Sequence, residues 1–164
     1  MEFTQTPMVY VENILGNSVY MKREDLLPFS FGGNKVRIAQ EFFSDMKSKG
    51  CDCIIGYGNA RSNLSRAIAN MSIMEKVECH IISSADNDGS RINTGNSGIV
   101  QMCNAKFHFC ENNNVSETVE TVLNDCKKRG MNPYYIYGDK YGKGNEIVPL
   151  EAYRKVYEEI LTPA

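Results

Sequence analysis

Short apolar runs alternate with segments of helical periodicity through the middle of the chain, and this alternation limits the fold more than any other feature. The apolar runs predict strands that start at Asp52 and that span Val77–Ser83, Lys106–Cys110 and Pro133–Tyr137. Helical spacing follows Ser62 and Gly95 and covers Ser116–Arg129. Because strands that are separated by single helices pair in parallel, the sequence predicts an α/β fold, a parallel sheet with helices on both faces.

Composition excludes several classes of protein. The chain has 164 residues, a net charge of -2 and 42% hydrophobic residues. A globular chain of this size buries roughly 70% of its unfolded surface, and its length alone predicts one domain. There is no basic excess for nucleic acid, no run near the ~18 apolar residues of a membrane span, and no signal-peptide pattern at the start. We therefore expect a cytoplasmic protein.

The six cysteines lie mostly in apolar strand and helix patterns, where buried free thiols are common. Cys51 and Cys53 form the closest pair, but no second cysteine pair or nearby histidine completes a metal site. The sequence thus predicts reduced cysteines and no bound metal.

Residues 29–37 read FSFGGNKVR, with two glycines and an asparagine directly before Lys35. From there the apolar positions follow one helical face, at Val36, Ala39, Phe42, Phe43 and Met46. Lys35 should then lie in the first helical turn, where the helix dipole disfavours an ammonium and favours the neutral, nucleophilic amine. The alternative is a solvated lysine beside a Gly-Gly turn.

Three motifs in order resemble one enzyme family. They are Lys22–Leu26 (KREDL), Phe31–Arg37 (FGGNKVR) and Arg61–Arg66 (RSNLSR). This set is similar to the fold type II pyridoxal-phosphate enzymes, in particular the 1-aminocyclopropane-1-carboxylate deaminase and D-cysteine desulfhydrase family, whose patterns are K-R-D/E-D-L, F-G-G-N-K-x-R and Q-S-N-H-x-R. The chain differs at Arg61 and Leu64, where the family has glutamine and histidine.

The resemblance implies a cofactor and a reaction. Lys35 would attach pyridoxal 5'-phosphate, with Asn34 and Asn63 beside the cofactor. Ser62 would be catalytic and, with Asn63 and Ser65, would bind a small amino-acid substrate. The reaction would be a D-cysteine desulfhydrase-like β-elimination that gives a keto acid and ammonia. Helix capping is the plainer role for Ser62 and Asn63, and it is compatible with the functional one.

The same resemblance covers only the N-terminal half of the family, so part of the active site would be missing. It implies that residues 1–39 belong to the cofactor domain, that 40–137 form the small α/β domain, and that 138–164 return to the cofactor domain. Apolar residues of the last helix should then lie uncovered: Tyr153, Val156, Tyr157, Ile160 and Leu161. Such a surface favours a homo-oligomer or a complementary C-terminal half. The alternative is a non-catalytic half that binds an amino acid or a partner chain.

Three further features predict structural rather than functional roles. Residues 138–145 (GDKYGKGN) have three glycines and two lysines but lack the spacing of a phosphate loop, so they predict a connection with Lys140 and Lys143 solvated rather than a nucleotide site. His80 and His108 fall within strand patterns and predict packing or edge-strand residues. Gly95 and Asn96 predict a turn.

Overall fold

The structure is a computed structural model that describes residues 5–84 and 94–162. The polar, glycine-containing sequence of residues 87–96 predicts a loop, and its part up to residue 93 lies outside the described residues. No helix within the described ranges is both long and apolar enough to cross a membrane.

Six strands and five α-helices are formed by the described residues. The strands are β1 (Met8–Ile14), β2 (Asn17–Lys22), β3 (Cys53–Tyr57), β4 (Glu78–Ser84), β5 (Lys106–Cys110) and β6 (Pro133–Tyr135). The helices are α1 (Asn34–Ser48), α2 (Asn63–Glu75), α3 (Gly95–Met102), α4 (Val115–Lys128) and α5 (Ile147–Leu161). The predicted alternation is confirmed, with element ends that move by one or two residues.

The central sheet has four parallel strands in the order β5-β4-β3-β6, and β1 and β2 form a separate antiparallel hairpin. Helices cover both faces of the sheet. On one face a Cβ at Gly56 would touch the Ile68 side chain of α2. On the other face, His80 of β4 lies beside Cys126 of α4, with 3.6 Å between Nε2 and Sγ. The predicted fold class is therefore confirmed.

Helix α1 packs through the face that its periodicity predicted. The residues of this face are each no more than 2% exposed: Val36, Ala39, Phe42, Phe43 and Met46. The Phe42 ring lies 6.5 Å from the ring of Tyr134 in β6. This contact places α1 on the same face of the sheet as α2, because Tyr134 pairs with Ile54 and so shares the face of Gly56.

A buried ion cluster ties the hairpin, α1 and α5 together. Arg37 of α1 is 7% exposed and its guanidinium contacts two carboxylates, Glu24 at 3.0 Å and Glu159 at 2.8 Å. Lys22 at the end of β2 also contacts Glu159, at 2.6 Å, and Thr6 donates to Glu24 at 2.6 Å. Each buried charge thus has an opposite partner, as burial requires.

The ionisation of the cluster follows from these contacts. Burial opposes the charged form of Glu159, but hydrogen bonds from Lys22 and Arg37 and their positive charges outweigh it and lower its pKa. Burial also opposes the charged form of Arg37, and the two carboxylates outweigh it and raise its pKa. The cluster is therefore stable as a set of ions.

Helix α5 packs on α1, yet much of its apolar surface faces outward. Tyr153, Tyr157, Ile160 and Leu161 are between 39% and 61% exposed, and Val156 is half-buried. The expectation of an uncovered apolar face on the last helix is confirmed.

His80 and His108 are neighbours across β4 and β5, with 2.8 Å between Nδ1 of His80 and Nε2 of His108. Nε2 of His80 lies 2.8 Å from Glu78, which also pairs with Arg129 and Lys106. The prediction of packing residues is confirmed, because His80 is buried and His108 lies on the edge strand β5.

All six cysteines are free thiols. Among the described residues no group of His, Cys, Asp or Glu is arranged to hold a metal ion.

Replacing Arg37 with Met should destabilise the protein by about 3 kcal/mol, because Glu24 and Glu159 would lose the charge between them. Urea unfolding measures this free energy. The matched control is Arg154→Met, since Arg154 pairs with Glu151 and Glu158 on the exposed side of α5 and such pairs contribute little. Equal effects of the two changes would contradict the importance of the buried cluster.

The histidine pair predicts a loss of stability between pH 7 and pH 5. Burial lowers the pKa of His80, and burial and the neighbouring His80 lower the pKa of His108. The unfolded chain therefore binds more protons below about pH 6.5, so that the free energy of unfolding falls as the pH falls. Carboxylates of the unfolded chain titrate near pH 4 and contribute little in this window.

Thermal unfolding at pH 7 and pH 5 measures the effect. His108→Gln keeps a side-chain donor near His80 and removes one titrating group, so the difference between the two pH values should shrink. An unchanged difference would show that the histidine pair is not its source.

Candidate active site

The turn before Lys35 is strained. Ser30, Phe31, Gly32 and Gly33 all have positive φ angles, of 47°, 62°, 67° and 89°. A left-handed conformation costs about 1–2 kcal/mol for a residue with a side chain. Strain of this kind is concentrated at functional sites, where the surrounding structure maintains it.

The turn is held at its base by the segment that follows β2. The Gly33 amide donates to the Glu24 carbonyl at 2.7 Å. A Cβ at Gly32 would lie 2.5 Å from the Asp25 carbonyl oxygen, so only glycine fits there. The first two sequence motifs are thus in direct contact.

Lys35 is the second residue of α1 and is half-buried, which confirms its predicted place in the first turn. Within residues 5–84 and 94–162 its amine makes no hydrogen bond or ion pair. Gly33 precedes the helix and offers no side-chain cap. Lys35 thus presents a primary amine that is not engaged by another described side chain.

Asn34, the other predicted cofactor contact on α1, donates through Nδ2 to the Tyr153 hydroxyl of α5 at 2.9 Å. The last helix of the chain thereby comes next to the lysine motif. Sequence reasoning did not identify Tyr153 as a site residue, since nothing in the pattern of α5 distinguishes it from the other apolar positions of that helix.

Ser62 and Ser65 meet at the start of α2. Ser62 is the N-cap of the helix, and its hydroxyl accepts from the Ser65 amide at 3.1 Å, so the capping role is present. Gly58 lies against both serines. A Cβ on Gly58 would be 2.6 Å from the Ser62 hydroxyl and 2.9 Å from the Ser65 hydroxyl. Glycine is required here by close approach.

The Ser65 hydroxyl is buried and has no hydrogen-bond partner among the described residues. Leaving a buried hydroxyl without a partner is unfavourable, so the site suits a group that bonds to it. The Asn63 and Leu64 amides of the same turn have no acceptor within the helix. An anionic group such as a carboxylate fits these donors and the helix dipole.

Asn63 belongs to a side-chain triangle with Arg66 and Asn96. Its Oδ1 accepts from Arg66 and from Asn96, both at 3.0 Å, and Asn96 Oδ1 accepts from Arg66 at 3.0 Å. Asn96 also donates to the Arg61 carbonyl at 2.8 Å. The turn predicted for Gly95 and Asn96 is wrong, because both residues lie in the first turn of α3, and Asn96 links α3 to α2.

The predicted residues therefore fall into two groups. Ser62, Asn63 and Ser65 are together at the start of α2, whereas Lys35 and Asn34 start α1. No hydrogen bond joins the groups within the described residues. They are linked by Phe31, whose ring lies 5.5 Å from the Arg66 guanidinium. The sequence motif contained Arg66 but gave it no role, since a contact with Phe31 has no signature in local spacing.

Residues 138–145 do not form a phosphate cradle. The Asp139 carboxylate accepts from the amides of Tyr141 at 2.8 Å and Lys143 at 3.0 Å, so an anion of the chain already uses these donors. The prediction that Lys140 is merely solvated is wrong, because it pairs with Glu120 at 2.8 Å. Residues 138–145 connect β6 to α5, and their assignment as a link to the cofactor domain stays a prediction.

Replacing Gly32 with Ala should cost about 2 kcal/mol or more, because the new Cβ adds a clash with Asp25 to the strain of a positive φ. Gly130→Ala is the matched control, since Gly130 has φ +80° and no described atom near its Cβ. It should cost only the conformational strain of about 1 kcal/mol. Equal losses in urea unfolding would show that the contact with Asp25 does not constrain the turn.

Known proteins resemble this chain over most of its length. The D-cysteine desulfhydrase of Salmonella paratyphi B is 26% identical over 140 residues, which are 80% of this chain and 42% of that protein. An ACC deaminase homologue has a solved structure that matches with a TM-score of 0.80 and 23% identity, over 98% of this chain and 49% of that one. A pyridoxal 5'-phosphate-dependent aspartate racemase matches with a TM-score of 0.68 and 16% identity, over 98% and 46%.

The two structures establish the fold, and the chain spans less than half the length of the curated relative. The model of the family described as pyridoxal-phosphate dependent enzyme matches residues 1–163. The chain therefore belongs to the pyridoxal-phosphate dependent enzymes, and the cofactor predicted from its sequence is the cofactor of that family.

Proposed function

We propose that this chain forms the N-terminal part of a lyase or deaminase that acts on a small amino acid, with D-cysteine desulfhydrase-like β-elimination to a keto acid and ammonia. The observation that carries the proposal is the unengaged amine of Lys35 at the start of α1, directly after the strained glycine turn. The similarity to D-cysteine desulfhydrase favours β-elimination over opening of a cyclopropane ring.

The residues present fit part of a pyridoxal phosphate site. Lys35 would attach the cofactor through its amine, with Asn34 and Asn63 beside it. The buried hydroxyl of Ser65, which has no partner among the described residues, provides a donor for a bound ligand. When bound, pyridoxal phosphate supplies an electron sink for the charge that develops at the substrate carbon.

The side chains of the protein would orient the substrate and move its proton. Ser62, Asn63 and Ser65 surround the free amides of α2, so they would hold the substrate carboxylate against the positive end of the helix dipole. Once the substrate amine has displaced Lys35 Nζ from the cofactor, the freed Nζ would take the proton from the substrate carbon, because no other described residue holds it.

We also propose that another polypeptide segment completes the site, either a C-terminal half or a second copy of the chain. In this proposal residues 1–39 and 138–164 belong to the cofactor domain and 40–137 form the small domain. The exposed apolar residues of α5 and of the hairpin, such as Tyr157, Leu161 and Val11, support a partner surface. The free cysteines support a reducing, cytoplasmic location.

Lys35 should be the preferred site of reaction with added pyridoxal phosphate, since its amine is unengaged and lies at a helix start. The measurement is borohydride reduction of the full chain followed by peptide mass mapping. Lys35→Arg should abolish the adduct on this peptide. Lys47→Arg is the control, because Lys47 is exposed and pairs with Glu75. An adduct spread evenly over exposed lysines would contradict the proposed attachment and favour a non-catalytic association module.

Ser65→Ala should leave the free energy of unfolding within about 0.5 kcal/mol, because the hydroxyl has no partner to lose. If this hydroxyl binds the substrate, the same change should weaken binding of D-cysteine to the cofactor-loaded protein by about 1 kcal/mol, roughly fivefold. Calorimetry measures the affinity and urea unfolding the stability. A stability loss without a change in affinity would make Ser65 a packing residue only.

A further inference from the structure

The strained turn at residues 30–33 meets the rest of the protein at two places. Its base bonds to the segment after β2, where Gly33 donates to the Glu24 carbonyl at 2.7 Å, and within the turn itself Gly32 donates to the Phe29 carbonyl at 2.8 Å. Its tip reaches α2. The side-chain amide nitrogen of Asn70 lies 3.5 Å from the Ser30 hydroxyl, and the Arg66 guanidinium lies over the Phe31 ring. The bond to Ser30 is at the limit of a hydrogen bond, so the Arg66 contact is the stronger one.

Phe31 cannot be held by burial, because it is 77% exposed and has a φ of 62°. A bulky residue in this conformation needs an interaction that offsets the strain. The Arg66 guanidinium, 5.5 Å from the ring centroid, is within the range of a cation–π interaction. Burial lowers the pKa of Arg66 from its ordinary value, which reflects partial removal of its charge from water. That removal strengthens attraction to a ring face.

Arg66 is itself fixed from the other side. One terminal nitrogen donates to both Asn63 and Asn96, each at 3.0 Å, and both amide oxygens are thereby used. Asn96 in turn is held by the Arg61 carbonyl at 2.8 Å. These two bonds hold the positive charge over the Phe31 ring, a place that an ammonium with its three donors can also fill.

We propose that Arg66 is a positioning residue for Lys35: its guanidinium, anchored by Asn63 and Asn96, holds the Phe31 turn and thereby the start of α1. The part that concerns Lys35 reactivity rests on the proposed function, whereas the part that concerns the turn does not. The proposed substrate-side group on α2 and the amine on α1 are then linked through the contact between Arg66 and Phe31. Asn63 contributes twice, as a proposed ligand contact and as an anchor of Arg66.

Amide hydrogen exchange of the full-length, cofactor-free chain tests the turn. In Arg66→Met the Gly32 and Gly33 amides should exchange about tenfold faster, because their hydrogen bonds persist only while the turn is held. Phe31→Leu should have a similar effect. Arg66→Lys keeps a cation near the ring and should stay within about twofold of the unmodified protein. Arg154→Met, on the exposed side of α5, is the control and should change neither amide.

The rate at which borohydride traps pyridoxal phosphate on Lys35 is the second measurement. It should fall in Arg66→Met and recover in Arg66→Lys, while the melting temperature and helical circular dichroism of Arg66→Lys match those of the unmodified protein. A purely structural role would move the melting temperature and leave the trapping rate unchanged at temperatures where the variant is folded. If Arg66→Met does not fold, Phe31→Leu and Arg66→Lys carry the comparison.

Two results would overturn the proposal. The first is that the Gly32 and Gly33 amides exchange at the same rate in Arg66→Met and in the unmodified protein, which includes the case that they are unprotected in both. The second is that these two amides exchange as fast in Arg66→Lys as in Arg66→Met. If the unmodified protein forms no adduct on Lys35, the proposed function fails, and the exchange rates still decide whether Arg66 holds the turn.

Discussion

Arg37 is buried between two carboxylates, and the arrangement of the other elements around α1 depends on this contact. Glu24 comes from the segment after the hairpin and Glu159 from the last helix. An arginine that is 7% exposed is unfavourable unless each charge is paired, so hairpin, α1 and α5 must meet at one place. The same contact sets the base of the Gly32 turn, because Glu24 also accepts from Gly33 through its carbonyl.

The candidate site is built on two helix starts, and each start is made possible by a glycine that tolerates no side chain. Gly32 lies against the Asp25 carbonyl before α1, and Gly58 lies against Ser62 and Ser65 before α2. Helix starts carry free amides and a positive dipole end, which suit an anionic ligand and disfavour an ammonium. The amine of Lys35 on one helix and the free amides at the start of the other are the groups on which the proposed function rests, and the chain spans 42% of one relative and 49% of another.

Local patterns were sufficient where structure is local. The periodicity after Lys35 predicted the buried face of α1 from Val36 to Met46, and the strand at Lys106–Cys110 has the predicted bounds. Prediction failed for Asn96 and Lys140, whose side chains bond to Asn63 and Glu120. Each of these contacts joins residues that are 20 or more positions apart, and short-range spacing contains no information about such pairs.

The sequence by itself determined the order of strands and helices, the helical first turn at Lys35 and the membership of the family. These depend on periods of two and 3.6 residues and on contiguous motifs, all of which are read within a few positions. Only the tertiary structure decided that Glu24, Arg37 and Glu159 share one buried cluster, that Tyr153 bonds to Asn34, and that Arg66 connects Phe31 with Asn63. The physical reason is that pairing a buried charge or polar group requires a partner in space, and the folded backbone alone fixes which distant residue is close enough to provide it.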